Sequence, residues 1–254
     1  MRAFLFTLML LGGCTGMTPA APDGGHLYEY VRSNRNGSLP ETILVYLPSP
    51  DRVEVVKIAA PCTDAAYVTA QVDPTTGTPL RLDAGRLEAG GSQRVIGFME
   101  YDPASRRLRY ELGSDEPLTG ELAEVPPRWH LYDFDLATLV SDAHYRWRPG
   151  SPAHFDLVRL MSGENGELLF ENLGAVALDP KAADDITGAY RVSGPALPQG
   201  QLARRRTDGA ITLVSSSRRN HAENADFLLR LKDDRSATQL QWAERRAAHW
   251  AGCD

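Results

Sequence analysis

Lysine is nearly absent from this chain. Of its 27 basic residues only Lys57, Lys181 and Lys232 are lysines, so 24 (27 minus 3) are arginines. A GC-rich coding sequence produces that bias unaided; a demand for guanidinium forks on phosphate would produce it too. Cysteine is scarce, three in 254 residues, and no two form a C-x-x-C pair. That removes thioredoxin-type redox chemistry, and two thiols alone do not make a zinc site. An excess of positive charge is missing: a formal charge of −6 lacks the basic footprint of a nucleic-acid partner. There is no H-E-x-x-H, G-x-S-x-G or S-x-x-K, no P-loop and no G-x-G-x-x-G. No motif therefore names a catalytic residue, a metal or a cofactor. No long apolar run follows the first dozen residues, so nothing later in the chain is expected to cross a bilayer as a helix, which takes about 20 apolar residues.

What is present begins at the first residues. Met1-Arg2 is a minimal positive start, and residues 3–11 read AFLFTLMLL, with Thr7 the one polar residue. Leu11-Gly12-Gly13-Cys14 follows at once. This order resembles the signal peptide and lipobox of bacterial lipoproteins, in which small residues let the peptidase reach the backbone and the cysteine sulfur accepts diacylglycerol. The resemblance implies a cleaved segment 1–13, lipidation at Cys14 and a membrane partner held through the acylated N-terminus. Thr15 after that cysteine is not aspartate, which under the enteric sorting rule implies the outer membrane, with the protein facing the periplasm. Thr15 to Gly25, TGMTPAAPDGG, reads as a tether that reaches about 35–40 Å when fully extended. Residues 26–254 are expected to form a single domain, since 43% hydrophobic residues suffice for a core.

The domain alternates with period two. Val68, Ala70 and Val72 oppose Tyr67, Thr69 and Gln71; Leu108, Tyr110 and Leu112 oppose Arg107, Arg109 and Glu111. Phe227, Leu229 and Leu231 oppose Arg230 and Lys232, and Leu240 and Trp242 oppose Gln239 and Gln241. Such alternation marks strands with one buried face. Turn chemistry separates the runs at Asn36-Gly37, Asp73-Pro74-Thr75-Thr76-Gly77, Asp102-Pro103, Asn165-Gly166 and Asp208-Gly209. The fold class is thus mainly β: roughly a dozen strands in an antiparallel meander that curls into a half-barrel or sandwich. After Pro126-Pro127 the period changes. Leu136, Leu139, Val140 and Ala143 recur at helical spacing, which predicts one central amphipathic helix within 129–143, with Asp133 or Asp135 as N-cap. A sheet around a helix resembles the half-barrel of lipoprotein-localisation factors, in pattern only, so no functional residue transfers.

The cluster Trp129, His130, Tyr132, Asp133, Phe134 and Asp135 is the richest in titratable and aromatic groups; adjacent residues diverge in direction, so it reads as a packed aromatic junction with a capping aspartate. Arg204-Arg205-Arg206, Arg218-Arg219 and Arg245-Arg246 read as solvated surface near acids, with anionic head groups or lipopolysaccharide phosphate as the functional alternative. Cys62 and Cys253, left over in an oxidising compartment, are expected to form a disulfide. A helix of about 15 residues spans roughly 22 Å, less than a dozen-strand inner face. An apolar ligand pocket is therefore expected, lined by Leu108, Tyr110, Trp129, Phe134, Leu229 and Trp242. The function implied is a non-catalytic binding module for a lipid, another apolar ligand or an envelope-protein partner. A structural lipoprotein of an envelope complex and a periplasmic hydrolase with a dispersed site are the alternatives.

Overall fold

The computed structural model describes residues 24–113, 117–122, 124–148, 151–162, 168–178, 189–205 and 207–253. The expected signal segment, Cys14, most of the tether and the Asn165-Gly166 turn lie outside the described residues. The chain forms a first meander of β1 (Gly24–Ser33), β2 (Glu41–Ser49), β3 (Arg52–Ile58), β4 (Ala66–Val72), β5 (Pro79–Leu87), β6 (Gln93–Asp102), β7 (Arg107–Leu112) and β8 (Leu118–Leu122). Then come β9 (Trp129–Leu131), helix α1 (Ala137–Tyr145), β10 (Ala153–Ser162), β11 (Leu168–Leu178), β12 (Ala189–Ser193), β13 (Gln201–Arg204), β14 (Ile211–Ser216) and β15 (Phe227–Thr238). Helix α2 (Gln239–Ala247) and a 3-10 turn at Ala248–Trp250 end the chain.

The hydrogen-bonded order is β8-β7-β6-β5-β4-β3-β2-β1-β15-β14-β13-β12-β11-β10-β9. The two meanders are therefore joined through β1 and β15, which pair antiparallel from Gly24↔Thr238 to Ser33↔Leu228. Neighbours are antiparallel except β9 and β10. The link between β11 and β12 rests on two residue pairs, Ala177↔Ser193 and Leu178↔Val192. Aspartates close several turns by accepting from backbone N–H groups two or three residues on, as Asp73 does from Thr75 and Thr76 and Asp208 from Ala210.

The sheet curls until its two ends meet through side chains. Tyr110 on β7 packs on Phe170 of β11 with ring centroids 5.2 Å apart. Tyr101 on β6 meets Trp129 of β9 edge-on at 5.8 Å. Helix α1 lies inside the curl, and every residue from Ala137 to Ala143 is buried. The main core gathers inward residues such as Tyr30, Val45, Val55, Leu82 and Leu229 around it. A second core occupies the outer face of β2 to β4, where Leu44, Tyr46, Val56 and Tyr67 pack under Trp242 of α2. Strand β2 is buried on both faces for that reason, which explains its unbroken run Ile43-Leu44-Val45-Tyr46-Leu47.

Several expectations change. Leu240 and Trp242 sit on a helix, not a strand: Thr238 accepts from Gln241 N–H at 3.2 Å and the Gln241 side chain accepts from Thr238 N–H at 2.8 Å. That reciprocal cap starts α2. The central helix begins eight residues later than 129. Trp129–Leu131 is strand β9, and neither Asp133 nor Asp135 caps α1. Leu136 holds that position with φ 58° and no side-chain cap bond, and Asp135 before it has φ 49°. Two successive left-handed non-glycine residues cost about 1–2 kcal/mol each; the burial of both and the partners of Asp135 hold them there. Gly24 and Gly25 already belong to β1. The disulfide forms as expected: Cys62 and Cys253 have Cα atoms 5.5 Å apart. It ties the chain end beside α2 to the loop after β3.

Candidate functional site

Helix α1 has a buried polar network at each end. At its N-terminal end Asp135 is fully buried. Lys57 Nζ stands 2.7 Å from Asp135 Oδ2, Asn220 donates to Oδ1 at 2.8 Å and Arg32 lies 3.9 Å away. Arg32 also bonds Glu41 at 2.6 Å. Lys57 and Arg32 point inward from β3 and β1, so this network plugs one mouth of the curl. Asp133 accepts from Leu160 N–H at 3.1 Å, and burial pushes its carboxyl up to about 6.

At the other end α1 runs into Arg146-Trp147-Arg148. Asp142 is the hub there, and it is fully buried. Trp147 Nε1 donates to its Oδ2 at 2.8 Å and Arg128 Nη2 at 3.2 Å. Arg146 Nη1 lies 3.8 Å from Oδ1, and His130 Nε2 lies 3.7 Å from Oδ2. Burial alone would raise the Asp142 carboxyl. His130, the Trp147 N–H and Arg128 outweigh it and hold the carboxyl below the ordinary carboxylate range. Gly77 makes room for the hub: a Cβ there would stand 2.4 Å from Asp142 Oδ1. Arg146 fastens two turns, donating to Pro50 O at 2.5 Å, Pro74 O at 3.0 Å and Asp73 O at 3.2 Å.

Above this hub opens a pocket of about 330 Å³, lined by Thr75, Thr76, Arg128, Arg146, Trp147, Arg148, Ser151, Pro152 and Ala153. Its wall thus has three guanidiniums, three hydroxyls and no carboxylate; Asp142 beneath it is covered, and the Asp73 carboxylate adjoins it, accepting from the N–H groups of Thr75 and Thr76. Trp147 is braced by Phe155, stacked at 5.8 Å, and by the Arg204 guanidinium 4.9 Å from its ring centre. Chemically this wall can hold an anion through charge-assisted hydrogen bonds. It has donors but neither a histidine nor a carboxylate to take a proton.

Beside it, at the start of β1, His26 Nε2 lies 3.2 Å from Asp234 Oδ2 and Tyr28 OH 2.7 Å from His144 Nδ1. The two imidazole rings are 5.0 Å apart. Burial, and then the neighbouring His26, lower the His144 pKa. Arg205 forks onto Asp208 and Asp234. Among the described residues no group of three His, Cys, Asp or Glu side chains is placed to hold a metal.

The residues expected to line an apolar pocket are divided between the two cores. Leu108, Trp129, Phe134 and Leu229 are buried in the main core, with Tyr110 packed against it. Trp242 lies in the outer core, because α2 rather than a strand carries it. There its indole N–H donates to buried Glu54 at 2.6 Å. The aromatic junction at 129–135 is packed, as its sequence suggested. His130 is buried against Thr138 at 3.0 Å, and His154 is exposed on β10. The paired arginines mostly meet acids: Arg205 bonds Asp208, Arg218 lies 3.3 Å from Glu171, and Arg245 lies 3.3 Å from Glu29. The pocket itself had one local signal, the Arg146-Trp147-Arg148 triplet; its partners Thr75, Arg128 and Ser151 come from separate segments. The chain matches no protein-family model and no curated protein.

Proposed function

We propose that this chain is a lipid-anchored envelope protein whose curled sheet serves as a non-catalytic module binding a small anionic group. The observation that supports it is the pocket at the C-terminal end of α1, where Arg128, Arg146 and Arg148 converge with Thr75, Thr76 and Ser151 on a wall that has no carboxylate. The lipobox resemblance at Leu11–Cys14 supports the anchor and the placement at the outer membrane, facing the periplasm. An anionic ligand fits better than the apolar occupant expected from periodicity. Side chains such as Leu108, Trp129 and Leu229 pack on one another and on α1 in the curl.

Two measurements test this reading. Metabolic labelling with a clickable fatty acid is expected to mark the wild type and not Cys14→Ser; equal labelling of both overturns the anchor. Calorimetric titration of the purified chain with inorganic phosphate and, separately, with oleate is expected to give saturable heat with phosphate alone. Binding of oleate without phosphate returns the function to an apolar ligand.

A further inference from the structure

The arginine pocket and the N-terminal tether lie at the same end of the molecule. Strand β1 starts at Gly24, opposite Thr238. Gly25 passes so close to the end of β2 that a Cβ on it would stand 2.8 Å from Pro48 Cα. Two residues on, Pro50 O accepts from Arg146 of the pocket wall, and the same guanidinium holds Asp73 and Pro74 next to Thr75 and Thr76. The Lys57–Asp135 pair lies at the far end of β3, and the disulfide lies just beyond it. In general a flexible small-residue linker of roughly 10 residues has a root-mean-square span of about 17 Å. An acyl group on Cys14 would therefore keep this end, and not the disulfide end, within reach of lipid head groups at high effective concentration.

We propose that the pocket receives a phosphate group of the bilayer that carries the anchor, so that the domain stands on the membrane with the end of α1 downward. This rests on the anion-binding and anchoring reading above. Three guanidiniums with adjacent hydroxyls match the tetrahedral set of acceptor oxygens that a head-group phosphate presents. Arg148 is exposed and free of any ion pair among the described residues, so it is available to a membrane without breaking an internal contact. Arg128 is already tied to Asp142 and contributes a fixed direction.

The test has two arms, both on the full acylated chain. In a nonionic detergent, inorganic phosphate is titrated into the wild type, Arg148→Ala and Arg128→Ala. Loss of one charge-assisted contact is expected to weaken binding about tenfold. On vesicles of phosphatidylcholine and phosphatidylglycerol and, as a phosphate-free control, in micelles of the same nonionic detergent, amide exchange is followed at residues 75–76 and 146–148. Exchange is expected to be slower on the vesicles than in the micelles in the wild type and not in Arg148→Ala, whose fold is checked by its unchanged melting. Phosphate binding with the same exchange on vesicles and in micelles overturns the membrane contact and leaves the anion pocket standing. Failure of phosphate to bind the wild type, or binding unchanged in both variants, overturns both.

Discussion

Asp142 holds together more of the candidate site than any residue in the pocket wall. Replacing it with alanine removes the acceptor of the Trp147 N–H and of Arg128, whose side chain is part-exposed, while Arg146 keeps its three carbonyl partners. Losing hydrogen bonds to a charged acceptor in this way costs about 1.5–3 kcal/mol. Asp142→Ala is therefore expected to lower urea stability by that amount and to weaken phosphate binding; a loss under 1 kcal/mol would show that the hub does not organise this end. Asp133 makes a pH prediction. Its folded carboxyl is raised from 3.8 to about 6, so the folded protein binds a proton more tightly than the unfolded chain does. Its contribution is fully present below 3.8 and is lost as pH rises through 6. Compared with Asp133→Asn, the wild type is expected to lose stability between pH 4 and pH 7 in urea melts. A constant difference across that range would contradict the assignment. Neither residue's role was legible in sequence. The carboxylates at 133, 135 and 142 are spaced like ordinary surface acids, and only the curl of the sheet shows which are covered.

Among the elements, the strands and the central helix are legible in the sequence, the helix at Leu139, Val140 and Ala143, whereas its start and α2 are not. Alternation at Tyr67 to Val72 and Arg107 to Leu112 marks β4 and β7: β7 turns one face to the core, and β4 turns Val68, Ala70 and Val72 to the main core, with Tyr67 packed under Trp242 on its other face. The turn residues located the hairpins because an Asp side chain closes them locally. Helix α1 starts late because the buried ion pair of Lys57 with Asp135 fixes the preceding backbone in a left-handed conformation, an effect of tertiary contacts. Leu240 and Trp242 alternate like a strand over too few residues to distinguish periods. The signal that decides for a helix is Thr238 with Gln241 three residues on, a capping box. Thr238→Ala is expected to cost about 1 kcal/mol. Hydrogen exchange confined to α2 and the 3-10 turn is expected to report it; a protein-wide increase instead would mean that α2 does not open separately.

For the whole molecule, mainly β architecture and the Cys62–Cys253 pairing followed from composition and periodicity, whereas the arginine-lined pocket did not. The pocket needs the turn at 73–77, the approach to β9 and the end of α1 to be brought together, and sequence spacing does not encode that. The disulfide closes a loop of 191 residues in sequence separation, which on the chain-entropy model is worth at most about 5 kcal/mol. Reduction, or Cys253→Ser, is expected to lower stability by about 2–5 kcal/mol while leaving the pocket end and phosphate binding intact, because the bond lies at the opposite end of β3. Phosphate binding abolished by reduction alone would contradict that separation.

The central claim is an anchored protein that takes an anionic group at its tethered end, and native mass spectrometry of the chain purified from an envelope fraction tests it most directly. The account predicts a mature species beginning at an acylated Cys14 and carrying a phosphate-bearing adduct, with Arg148→Ala retaining the acylation and losing the adduct. A chain without acylation, or one that retains an apolar molecule lacking phosphate, would contradict it.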